Sequence, residues 1–132
     1  MRFVNPATGE VSDRLTILAL KILAGAEKGV EVAHWETERA SLLTVIRTKT
    51  LNGKWFEAVL ELGAVNAMIW HAEDEMRTWR QTNPVVDRPE AISLWVQVGR
   101  LAFRIQALND RRAELVAQIN REAGDGDAKE KG

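Results

Sequence analysis

From Val11 to Ile119 the apolar positions recur at steps of three and four residues, and no stretch sustains the two-residue alternation of a β-strand. That period predicts helices throughout. The first should open near Ser12, a good N-cap, with Asp13 in its first turn. Val11, Leu15, Leu18 and Ile22 form its stripe, and Ile17, Leu20 and Leu23 widen it. "AGAEKGVE" at 24–31 carries two glycines and predicts a break. A second helix then shows Val32, Trp35, Arg39, Leu42 and Ile46 on one face. "KTLNGKW" at 49–55 reads as a turn with Asn-Gly as its signal, and a third helix follows from about Lys54 to Trp79. "QTNPVVDRPE" at 81–90 is the longest loop. The fourth helix should start near Pro89 and end near Ala123. Its seam is Val98, Leu101, Ile105, Leu108, Arg112, Leu115 and Ile119. The expected fold is all-α, an up-and-down antiparallel bundle of about four helices, with one domain over 1–123 and a flexible polar tail over 124–132.

Composition narrows the chemistry. At 132 residues, 45% of them hydrophobic, the chain can bury a core without staples. It has no cysteine, which removes disulfides, thiolate catalysis and Cys-based zinc sites. A net charge of −1 disfavours a nucleic-acid partner. No stretch approaches the roughly 20 apolar residues of a membrane span, and the first residues lack a basic-then-apolar leader. A cytoplasmic protein without a membrane partner is the expectation.

The informative residues are polar ones in apolar seams. In "VNAMIWHAEDEM" (65–76) Asn66 and Glu73 lie on one line of the helix, interleaved with Leu62, Ile69 and Met76. Arg39 interrupts the second seam and Arg112 the fourth. An unpaired member of this set would cost several kcal/mol, so the set should pair internally. Glu73 with Arg112 is the expected buried ion pair, because an arginine fork grips a carboxylate with two bonds. Asn66 should reach Asn109, beside the fourth seam. Such a network can serve helix register alone. It can also line a pocket between helices, a usual place for bundle sites.

Three blocks, "DRLTILALK" (13–21), "NAMIWHAED" (66–74) and "NDRRAELVAQIN" (109–120), together resemble a bacterial and phage family of small domains of unknown function. Its pattern runs D-[KR]-[IL]-T-I-L-E-x-K, then N-x-x-[LI]-W-x-x-E-D, then N-D-x-R-A-x-x-K-x-x-I-N. The polar residues that match are Asp13, Thr16, Lys21, Asn66, Glu73, Asp74, Asn109, Asp110 and Arg112. Ala19 stands where the pattern has Glu, and Val116 where it has Lys. The resemblance implies that the matching residues form one site. The paired loss of a carboxylate and an amine implies that those two groups are partners elsewhere.

Other schemes lack their residues. Glu31 and His34 make one Glu-x-x-His step, but only two histidines exist and His71 has no matching glutamate, so a di-iron centre is not supported. No G-x-S-x-G, P-loop or dinucleotide fingerprint occurs. Arg100, Arg104 and Arg111 share an outer face of the fourth helix, and Trp79 and Trp95 flank the long loop. The reading is a homo-oligomeric protein that binds a small anionic, nucleotide-like ligand through Asp13, Lys21, Asn66, Glu73, Asn109 and Arg112, with no cofactor. Two alternatives stay open: a phosphohydrolase using Mg2+ on Glu73, Asp74 and Asp110, and a scaffold without ligand.

Overall fold

The computed structural model describes residues 7–82 and 91–125. The expected helix start at Pro89, most of the long loop and the tail from residue 126 fall outside the described residues. The fold is an all-α bundle of four helices: α1 (Thr8–Glu27), α2 (Ala33–Arg47), α3 (Gly53–Thr82) and α4 (Ala91–Ala123). No strand occurs among the described residues, and no helix there is long and apolar enough to cross a membrane.

The packing is unequal. α1 touches all three other helices and α3 lies along α4, whereas α2 packs on α1 alone. Helix lengths explain part of this. At about 1.5 Å per residue, α1 spans about 30 Å, while α3 and α4 run to about 45–50 Å. The near half of the α3–α4 hairpin therefore has a third helix over its seam, and the far half does not. The core sits in the near half, where Ala58, Leu62, Val65 and Ile69 of α3 close on Leu115 and Ile119 of α4. Leu62, Ile119 and Leu18 of α1 are fully buried, each contributing roughly 1.5–3 kcal/mol. Among the described residues, no side chain of α3 beyond Ala72 is fully buried.

α1 begins four residues before Ser12. Its N-cap is Ala7, which offers no side-chain cap. The orphan amides of the first turn are met from the far end of the chain instead. Thr8 N–H donates to Asp125 Oδ2 at 2.6 Å, and Gly9 N–H donates to Asn120 Oδ1 at 2.6 Å. Lys49 Nζ adds an ion pair to Asp125 at 3.1 Å. Gly9 permits the approach, since a Cβ there would collide with the Val116 carbonyl of α4. Burial pushes the Asp125 carboxyl up, but the hydrogen bonds from Thr8 and the Lys49 ammonium outweigh it and leave the group below the usual range. The chain thus stays anchored through Asp125 rather than leaving the fold at Ala123. Ser12 lies buried inside α1 and accepts a bond from Trp55 Nε1 at 3.3 Å.

The expected break at 24–31 is present, in the later part of that stretch. α1 continues through Gly25, and the chain reverses at Gly29, whose φ of +74° is the left-handed conformation glycine adopts without strain. Asn52 is the cap of α3, its Oδ1 accepting from Trp55 N–H at 3.0 Å. α2 buries no residue fully and is held by the Arg14–Glu38 fork, at 2.7 and 2.9 Å, and by Lys21 above the Trp35 ring. Arg39 stays half-buried in α2 and joins no ion pair among the described residues.

Candidate functional site

Three helices contribute one polar residue each to the edge of the core. Asp13 follows buried Val11 and Ser12 on α1. Asn66 is a buried neighbour of Val65 on α3. Arg112 holds the seam position between Leu108 and Leu115 on α4. The Asp13 carboxylate accepts from Arg112 through both oxygens, Nε to Oδ1 at 2.9 Å and Nη2 to Oδ2 at 2.6 Å. Asn66 Nδ2 donates to Asp13 Oδ1 at 2.9 Å and to Thr16 Oγ1 at 2.8 Å. Thr16 Oγ1 in turn donates to the Asp13 carbonyl at 2.7 Å. The side chains of Arg112 and Asp13 keep 32% and 15% exposure, so the pair lies at the rim of the core rather than at its centre.

Electrostatics follow the geometry. The hydrogen bonds to Asp13 hold the Arg112 proton more tightly than usual, burial opposes this, and the charges of Asp13 and Glu73 add to the hold. The sequence names the wrong carboxylate. Glu73 is exposed and makes no ion pair with Arg112; Asp13 is the partner. The reason is that α1 lies across the α3–α4 seam at this level, and Asp13 enters the fork from the side. The same geometry takes Asn66 to Asp13 and Thr16, and leaves Asn109 exposed without a bond to Asn66.

Beside this network lies a cleft of about 410 Å3 between α1, α3 and α4. Its apolar lining is Ile17, Leu20, Ile69 and Trp70. Lys21, Lys28, Arg77 and Arg112 bring positive charge to it, and Glu73 and Asp74 bring negative charge. Asp74 is matched by Arg77 at 2.7 Å on its own helix. Two of the five N–H donors of Arg112 go to Asp13. Of the residues singled out by sequence, Asp13, Asn66 and Arg112 are brought together, Lys21 and Glu73 line the cleft, and Asn109 does not reach it. Lys28 and Arg77 are lining residues the seam pattern cannot find, because both are exposed.

Glu73 and Asp74 share the cleft, but Asp110 does not line it, and among the described residues no three His, Asp or Glu side chains gather to hold a metal ion. The donor set for Mg2+ on Glu73, Asp74 and Asp110 therefore does not converge. What the site defines is a bundle protein with a charge-fixed arginine at the edge of an interhelical cleft. No family model, no curated protein and no solved structure matches this chain.

Proposed function

We propose that the protein binds a small anionic metabolite, of the phosphate-bearing kind, in the cleft between α1, α3 and α4. One observation carries this reading: Asp13 locks Arg112 by a two-bond fork at the wall of a cleft that Lys21 and Lys28 also line. A guanidinium already oriented by a carboxylate loses little freedom when it meets an anion. Lys21 and Lys28 supply further charge, and Glu73 accepts from a hydroxyl or amine on the ligand body. Ile17, Leu20, Ile69 and Trp70 give an apolar bed to a base or ring. Asp13 and Asn66 act as positioning residues. Kinship with the family of three-block helical domains belongs to the same proposal, supported by the bonds that tie Asp13, Thr16, Asn66 and Arg112 together across the blocks.

Thermal denaturation with inorganic phosphate, pyrophosphate and nucleoside mono-, di- and triphosphates, each against its neutral nucleoside, tests the reading. A ligand at about 100 times its Kd raises stability by about 2.7 kcal/mol. Stabilisation by at least one phosphate compound, lost in Lys21→Ala, is the expected result. No shift with any anion would leave the polar network a register device only.

Self-association is the second part of the proposal. Ile92, Val96 and Phe103 of α4 are large, apolar and exposed, and a second copy of this chain is the partner we propose for them.

A further inference from the structure

α4 carries two apolar stripes. The first is the seam of Leu94, Val98, Leu101 and Ile105, each half-buried. The second is Ile92, Val96, Gly99 and Phe103, spaced by four, three and four residues. Each member of the second stripe stands two residues before a seam residue, which places it about 160° round the helix, on the outer edge of the hairpin. Phe103 is 77% exposed, Ile92 65%, and nothing lies within 4 Å of where a Gly99 Cβ would be. In a two-helix seam these outer positions are normally polar.

α3 has a matching edge at its other end. Phe56, Leu60 and Ala64 stand two residues before buried Ala58, Leu62 and Asn66, and Met68 continues the row. All four are exposed, and α2 touches neither α3 nor α4, so among the described residues no helix covers either edge.

The two edges are complementary in charge and in shape. Residues 55–72 contain Glu57 and Glu61 but no lysine or arginine. Residues 91–109 contain Arg100 and Arg104 but no acid. In both rows the charge sits one residue after an apolar member, about 100° round the helix in the same sense. Two helices laid face to face bring such flanks together only when they run antiparallel. That orientation sets Phe56 by Phe103 and Leu60 over Gly99, with Ala64 and Met68 at the margin of the contact. The same register sets Glu57 by Arg104 and Glu61 by Arg100. Both rows are about 17 Å long, but the α3 row, at steps of four, winds about 120° round its helix while the α4 row returns to within about 20°, so the contact centres on Phe56 and Leu60 against Phe103 and Gly99. Glu61 already accepts from Arg111 through Oε2, and its Oε1 carries no described bond.

Resting on the self-association proposed above, the geometry points to a head-to-tail interface in which the outer edge of α4 in one copy docks antiparallel on the outer edge of α3 in the next. The two edges face away from one another, so the contact is heterologous and each copy keeps one edge open for a further copy.

Sedimentation velocity over micromolar to sub-millimolar protein tests this with two single variants, Leu60→Glu and Phe103→Glu. Both side chains are exposed, at 59% and 77%, so the fold tolerates the change. Wild type should grow in mass with concentration, and each variant alone should stay a monomer. An equimolar mixture should give a species of twice the monomer mass and no larger, because only one pair of intact edges remains. A wild type that is monomeric throughout overturns both the self-association and this interface. A wild type that associates while both variants still associate alone, or a mixture that stays monomeric, overturns the interface and leaves self-association standing.

Discussion

The α3–α4 hairpin has one continuous seam but two different interiors. In the near half Leu62, Leu115 and Ile119 are almost wholly buried. In the far half Leu94, Val98, Leu101 and Ile105 hold equivalent seam positions and remain half-buried. The spacing of apolar residues is the same, and only α1 differs. Two helices alone cannot enclose the residues between them, and a third laid over the seam removes the remaining water. A helical seam is therefore necessary for a core and not sufficient. On α4 the change comes at Arg112 of the Asp13–Asn66–Arg112 network, on α3 it comes after Ala72, and the cleft opens beside the network.

The largest effect should be the direct contrast between the halves. Leu62→Ala should cost about 3–5 kcal/mol, because the near half cannot collapse into the cavity. Leu101→Ala in the far half should cost only about 1–2 kcal/mol, since its site is already partly hydrated. Urea midpoints at constant m-value measure both. Equal costs would mean that the far half is as enclosed in solution as the near half.

At the boundary itself, Asp13→Ala should destabilise by about 2–3 kcal/mol. The substitution leaves Arg112 without its fork and Asn66 without one acceptor. Arg112→Met in the Asp13→Ala background should recover part of the loss, as removal of the stranded charge restores apolar contact. A double variant no more stable than the single one would show that the pair is not coupled.

Asp125→Ala should cost about 1–2 kcal/mol through loss of the α1 cap and of the Lys49 pair. The sign with pH follows from the lowered folded value. The contribution is complete above the usual carboxylate range and is lost as pH falls through that range toward the folded value. Asp125→Asn should therefore flatten the acid limb of the stability profile, and an unchanged limb would assign acid sensitivity to other carboxylates such as Glu38, which Arg14 also holds low.

How much of this is legible in the sequence depends on distance along the chain. Periods of three and four suffice for four helices, and the seam steps alone put Arg112 at the core and Asn66 inside it. The partner of Arg112 is another matter. Asp13 sits near a helix start, where an exposed acid is ordinary, and nothing in its neighbours says that α1 crosses the hairpin there. The start of α1 is hidden for the same reason: its capping groups come from Asp125 and Asn120, more than a hundred residues away. Local pattern finds the faces. Which faces meet is decided by helix length and by where a third helix lies.

Glu73 gives the smallest effect and the sharpest test of that lesson. By sequence it shares a seam with Asn66 and should be the buried mate of Arg112; in the fold it directly follows Ala72, the last fully buried residue described in α3, and is itself exposed and paired with no cation among the described residues. Its charge still reaches Arg112 across the cleft, adding to the hold that Asp13 exerts. Such a long, solvent-screened attraction is worth little to folding. Glu73→Ala should therefore change stability by no more than about 0.5 kcal/mol. The same change removes one acidic group from the cleft wall and should alter the response to added phosphate compounds while the melting point without ligand stays put. A loss as large as that from Asp13→Ala would mean that Arg112 turns toward Glu73 in solution, and the boundary between the two halves would then lie farther along the hairpin.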